Sequence, residues 1–225
     1  EVVIASGATL VLSGGSAALT LGGISESANV LLSNSGTFTA DASSTVYLNA
    51  DNSNLLLSSS AESITFGNLV ISPALAEDRT VVLSDNISTL NINGNFTIAP
   101  SGSKIYTISF GNIVIDFATT SVFTIDSTGT STSVVTLPAI DLELAKIVVA
   151  SGDSLDASSV SNITLSGTSG TLLTQGGTFT APTNLIMNPD AAVTLTSGTV
   201  SLVSLTLSPI RNEDRVYTFG AGAIS

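Results

Sequence analysis

Hydrophobic residues recur along the chain as apolar-x-x-apolar-x-apolar, and the fullest form of that pattern occurs twice. Phe66-Gly67-Asn68-Leu69-Val70-Ile71 returns as Phe110-Gly111-Asn112-Ile113-Val114-Ile115. The same spacing occurs at Ile87/Leu90/Ile92, Leu137/Ile140/Leu142, Val160/Ile163/Leu165 and Leu202/Leu205/Leu207. Its second half alone occurs at Leu19/Leu21, Val46/Leu48 and Leu185/Met187. The middle apolar residue falls at 19, 46, 69, 90, 113, 140, 163, 185 and 205, a mean step of about 23 residues. Alternation of Val, Ile and Leu with Ser and Thr predicts short strands with one buried face, because strand side chains point to opposite sides in turn. Apolar spacing of three and four is nowhere sustained long enough to predict a helix. A loose period of this size on strand-type residues predicts a parallel β-solenoid of about nine to ten coils.

Gly, Asn, Asp and Ser-Gly corners supply the tight or left-handed backbone between strands. Stacked at ~4.8 Å, such coils make a rod roughly 45 Å long. Leu69, Leu90, Ile113, Ile140, Ile163 and Leu205 are expected to form one inner aliphatic column, in which large rings fit badly. Tandem antiparallel sandwiches are the alternative fold, since they also alternate, but they carry no sub-period near 23 residues. A transmembrane barrel would need aromatic girdles, which are missing.

A longer repeat overlies the short one. Val2-Val3-Ile4-Ala5-Ser6-Gly7 is echoed by Ile147-Val148-Val149-Ala150-Ser151-Gly152, and Gly36-Thr37-Phe38-Thr39-Ala40 by Gly177-Thr178-Phe179-Thr180-Ala181. Pro73 with Glu77-Asp78-Arg79 is echoed by Pro209 with Glu213-Asp214-Arg215. The chain therefore reads as a single solenoid over 1–225, in which 146–225 is a diverged copy of 1–88 and 89–145 is not duplicated. Both termini cut the pattern in mid-coil. That leads to an expectation of head-to-tail self-association, with Val2, Val3 and Ile4 meeting Val216, Tyr217, Phe219 and Ile224 through strand edges.

Composition narrows the function. The net charge is −12 with five Lys and Arg, so there is no basic surface for nucleic acid or anionic lipid. No apolar run is long enough to span a bilayer as a helix. Cys and His are both absent, which removes thiolate and imidazole metal sites, and no cofactor is expected. An acidic, Lys-poor, Ser/Thr-rich β chain fits an extracellular or cell-surface setting. No signal peptide is visible, and the sequence reads as processed or excised.

The candidate chemistry is sparse. Asp141 and Glu143 share an outward face near Lys146, the arrangement that a polysaccharide-active β-helix enzyme would need, but a solvated strand face explains them as well. Asp41, Asp51 and Asp85 could offer oxygens to calcium, yet no calcium-loop motif is present. The sequons at Asn86, Asn95 and Asn162 are about what composition gives by chance. Asn68, Asn112, Asn162 and Asn184 precede the middle apolar residue and could form a stacked amide ladder. Glu77, Asp78, Arg79, Glu213, Asp214 and Arg215 read as loop ion pairs, in which Arg meets a neighbouring acid. Tyr47, Val70, Val114 and Ile186 are larger and more apolar than a free strand face requires, and mark candidate lateral contacts.

On Gly36–Ala40, Phe66–Ile71, Phe110–Ile115 and Gly177–Ala181, the chain resembles Ser/Thr/Gly-rich β-helical surface proteins of bacteria. These include adhesin and autotransporter-like passengers, surface-layer proteins and extracellular fibre proteins. The resemblance implies a rod, fibre or adhesin role and transfers no functional residue. The expected function is a non-enzymatic subunit of an extracellular filament or surface layer. The alternatives are an adhesin-type module for glycan or host surface, and a polysaccharide-active enzyme.

Overall fold

A computed structural model describes residues 2–15, 17–22, 30–51, 54–84, 87–167, 173–187, 194–195, 199–201, 204–207 and 218–219. Among these residues there is no helix, and every strand pair is parallel. The chain is a β-solenoid, and the all-parallel pairing excludes antiparallel sandwiches.

The backbone winds around three faces. Face 1 stacks nine strands, one above another: Val2–Ile4, Val30–Asn34, Asn54–Ser59, Arg79–Ser84, Ile105–Ser109, Thr132–Thr136, Ser154–Asp156, Thr178–Thr180 and Thr199–Ser201. These define levels one to nine, and each level continues onto face 2 and then face 3. Face 2 is three shorter sheets: Thr9–Leu12 with Thr37–Ala40; Ser63–Phe66, Thr89–Ile92 and Val114–Phe117; then Leu142–Leu144, Asn162–Leu165, Asn184–Met187 and Leu205–Leu207. Face 3 has seven strands: Ala18–Leu21, Thr45–Leu48, Asn68–Ile71, Phe96–Ile98, Val122–Ile125, Lys146–Val149 and Leu173–Gln175. Above them, Thr194–Leu195 pairs with Thr218–Phe219. Two-residue strands at Ala74–Leu75 and Ser101–Gly102 pair at one corner.

The core is a set of vertical columns produced by in-register pairing. On face 3, Val46, Leu69, Phe96, Phe123 and Ile147 stack in turn, each essentially inaccessible. On face 1 the sequence is Val81, Ile108, Val135, Leu155 and Phe179. Burial alternates along strands such as Asn68–Ile71, Thr89–Ile92, Val122–Ile125 and Asn162–Leu165, whose apolar residues at every second position point inward.

Two expectations about the core are corrected. The single column of Leu69, Leu90, Ile113, Ile140, Ile163 and Leu205 does not form. Leu69 lies on face 3 between Val46 and Phe96, whereas Leu90 lies on face 2 between Ile64 and Ile115. Ile163 and Leu205 belong to the upper sheet of face 2, and Ile113 and Ile140 lie in corners. From Leu19 to Leu173, face 3 takes six steps over 154 residues, about 26 per turn. The shorter mean step arose because equally spaced motifs sit on different faces. Rings also fit inside. Phe66, Phe96, Phe110, Phe123 and Phe179 are fully buried, and Phe96 stacks on Phe123 with centroids 5.1 Å apart. Register places these two phenylalanines one level apart, a separation that suits offset stacking.

The long repeat shows what is duplicated. Val2–Ile4 lies on face 1, but its echo in Lys146–Val149 lies on face 3. Thr37–Ala40 is on face 2 and Thr178–Thr180 on face 1. Leaving out the two corner strands, both matches are offset by 17 strands, which is two-thirds of a turn past five full turns. What the echoed segments share is therefore a strand with its corner, placed on different faces in the two matches.

That unit has a defined contact. The Ala5-Ser6-Gly7-Ala8 turn, with φ +79° at Gly7, lies beneath Gly36-Thr37. The Ala150-Ser151-Gly152-Asp153 turn, with φ +92° at Gly152, lies beneath Gly177-Thr178 in the same way. Thr37 N donates to Ala8 O and Thr178 N to Asp153 O, both at 2.9 Å. A Cβ on Gly36 would collide with the carbonyls of Ala5 and Ala8, and one on Gly177 with those of Ala150 and Asp153.

Candidate functional site

Polar side chains at the corners mostly bond to the next level. Asp41 accepts from Gly14 N at 2.7 Å and from the amides of Ser43 and Ser44 at 3.1 and 2.8 Å. The Ser43 hydroxyl and then the Gly14 amide hold the Asp41 carboxyl below its usual range. Asn68 accepts from Asn95 N at 2.8 Å, and Asn95 accepts from Val122 N at 3.0 Å. Asp141 accepts from the backbone and side-chain nitrogens of Asn162, both at 2.9 Å, and Asn184 donates to Asn162 Oδ1 at 3.0 Å. Of the expected amide ladder, Asn162 and Asn184 form a direct rung. Asn68 instead clamps Ala42 O and Ser44 O below it, and Asn112 is exposed in a turn.

The Glu77-Asp78-Arg79 loop carries a two-acid clamp. Arg79 Nη1 lies 2.7 Å from Glu77 Oε1, and its Nε lies 2.7 Å from Asp51 Oδ1 of the level below. Asp51 also accepts from Ala76 N at 3.0 Å, and Asp78 accepts from Ile105 N of the level above at 3.0 Å. Burial opposes ionisation of Asp51, but the Arg79 hydrogen bond and charge and the Ala76 amide outweigh it, so its carboxyl sits below the usual range. The sequence pointed to a neighbouring acid as partner, which Glu77 is, and gave no sign of Asp51, which only the winding brings beside Arg79. Glu213, Asp214 and Arg215 lie outside the described residues, as do Asp85 and Asn86.

At higher levels of the same corner the interior is partly polar. Asp153 is buried, and it accepts from Ser127 N, Ser127 Oγ and Ser133 N at 2.9, 2.6 and 2.7 Å. Tyr106 stands in register between Arg79 and Ser133, with its hydroxyl buried and unpartnered. Burial, with the Asp51 charge behind it, pushes the Tyr106 phenol far upward, so it is neutral. Nothing in the sequence pattern marked Asp153 as internal.

The expected lateral residues do not share one patch. Tyr47 and Val70 are adjacent and half-buried on face 3, between Thr20 and Thr97. Val114 is exposed on face 2 at level five, and Ile186 is half-buried on face 2 at level eight. Of the expected end residues, Val2–Ile4 form the first strand of face 1, with Val3 63% exposed. Phe219 pairs by its backbone with Leu195. Val216, Tyr217 and Ile224 lie outside the described residues.

The structure separates Asp141 from Glu143 in role. Asp141 is held by Asn162, whereas Glu143 lines an open groove of about 500 Å³ together with Thr119, Thr120, Lys146, Ser166 and Gly167. The groove spans levels five to seven at the corner between faces 2 and 3. Among the described residues no group of three or more acidic side chains is placed to hold a metal. Nor do the described residues contain a helix long and apolar enough to cross a membrane. No protein-family model, curated protein or solved structure matches the chain.

Proposed function

We propose that this chain is a structural rod of a bacterial cell exterior: a non-enzymatic segment of an extracellular filament or surface layer. The observation that carries this reading is the nine-strand parallel face, whose inner columns run from level to level. A stack of this kind resists bending because each level is bonded along the axis to those above and below. Its corners use Asp and Asn side chains as further axial ties. The Ser/Thr/Gly-rich composition and the resemblance to bacterial surface β-helices support the extracellular setting.

Parallel strand edges at the end of any stack offer N–H and C=O groups along the axis, and a like stack can pair with them. We assign head-to-tail self-association to this geometry, through strand edges of that kind. Negative-stain images and sedimentation over a concentration series test it. The expected result is rods several stacks long, shortened by Val3→Lys, which puts a charge on the lowest described strand of face 1 without touching the core. Single stacks of uniform length at every concentration would rule out self-assembly.

A further inference from the structure

We infer that the groove at levels five to seven is a binding site for a short, neutral saccharide. This inference is independent of the rod reading, since a rod can carry the site or lack it.

The groove is a consequence of unequal corners. At level six the corner between faces 2 and 3 is one residue, Ala145, between Leu142–Leu144 and Lys146–Val149. At level five, below it, the corner takes four residues, from Ala118 to Ser121. The backbone of the floor is satisfied along the stack, with Ala145 N donating to Ser121 O at 2.9 Å and Gly167 N to Ala145 O at 3.2 Å. A recessed corner is thus bounded by the Thr119-Thr120 turn on one side and Ser166-Gly167 on the other.

A second one-residue corner shows how such a recess is filled when it is purely structural. At Gly67, the Asn68 amide occupies the space, bonding to Ala42 O and Ser44 O at 3.3 and 3.1 Å and accepting from Asn95 N. Among the described residues none fills the recess at Ala145 in this way. Glu143 and Lys146 both line the recess, yet they form no ion pair with each other or with another described residue. This contrasts with Asp41, Asp51, Asp78, Asp141 and Asp153, each of which is tied to a neighbouring level.

The chemistry selects the ligand class. A carboxylate acceptor, an ammonium donor and three hydroxyls that can do either make a surface suited to a ligand dense in hydroxyl groups. The two charges cancel within the groove, and the chain as a whole is at −12, so an anionic ligand gains little. No ring is among the described residues that line the recess, so a planar apolar ligand has nothing there to stack on. The volume lies in the range of small-molecule sites. Without an aromatic platform the affinity is weak, and a row of stacks would strengthen it by multivalency.

Amide NMR on the labelled chain tests this with cellobiose, lactose, maltose and diacetylchitobiose, with digalacturonate as the anionic probe and glycerol as the control for bulk hydroxyls. The expected result is saturable shifts at Thr119, Thr120 and Gly167 with at least one neutral disaccharide. In a variant carrying Glu143→Ala and Lys146→Met the affinity should fall at least about tenfold with the fold intact by circular dichroism, because both side chains leave the core untouched. The inference is overturned if none of the neutral disaccharides gives saturable shifts there, if digalacturonate alone does, if glycerol reproduces them, or if the double variant binds unchanged.

Discussion

Gly36 shows how closely one level rests on the next. The carbonyls of Ala5 and Ala8 occupy the space that its Cβ would need, and Gly177 meets Ala150 and Asp153 in the same way. Gly36→Ala should therefore destabilise by about 1–3 kcal/mol through overpacking. Gly15→Ala, with nothing within 4 Å of its Cβ and no positive φ, should be nearly neutral. Urea denaturation of the two variants makes the comparison, and equal stabilities would contradict the packing. Asp51 gives the pH counterpart. Its carboxyl is held below the ordinary value in the folded chain, so the stability it supplies is complete above that value. It is lost as pH falls through the folded value, because the unfolded chain then binds the proton more readily. Asp51→Asn should weaken the protein at neutral pH and flatten the acid limb of its stability curve, read from denaturation midpoints between neutrality and strong acid. The Arg79 clamp was half legible in the sequence: Glu77 is two residues away, whereas Asp51 is brought close by a full turn of winding.

At the scale of elements, the unit is a short strand with its corner. Its two inward side chains fill adjacent columns, and its corner supplies a tie to the next level. Asn162 is tied in both directions, donating to Asp141 and accepting from Asn184. Asn162→Ala should cost about 0.5–1.5 kcal/mol. It should also raise hydrogen exchange in Asn162–Leu165 and Asn184–Met187 above that in the face 1 strands. Uniform exchange across the three faces would show that the ladder has no local role. Strand identity was readable from alternation, as at Leu69/Ile71 and Leu90/Ile92. The face to which each strand belongs was not, because Phe66–Ile71 and Phe110–Ile115 are the same motif at different corners. A motif records local backbone chemistry, and the number of residues between motifs decides where on the perimeter it lands.

For the whole molecule, nine stacked strands on face 1 have eight spacings of ~4.8 Å, an axial length of about 38 Å. Small-angle scattering of single stacks should give an elongated distance distribution with a cross-section narrower than this length, and an isotropic particle would be inconsistent with the stack. By itself the sequence determined the strand class, the parallel solenoid and the absence of a basic surface, because alternation, corner residues and net charge are local or additive properties. It also marked Glu143 and Lys146 as neighbours. Only the tertiary structure decided that Leu69 meets Phe96 and Leu90 meets Ile115, that rings share the core, and that Asp153 is internal. It alone decided that Thr119 and Ser166 border the groove containing Glu143 and Lys146. The physical reason is that contacts between levels depend on the summed lengths of all intervening strands and corners. A difference of one or two residues at each corner leaves every local pattern intact and still changes which side chains meet.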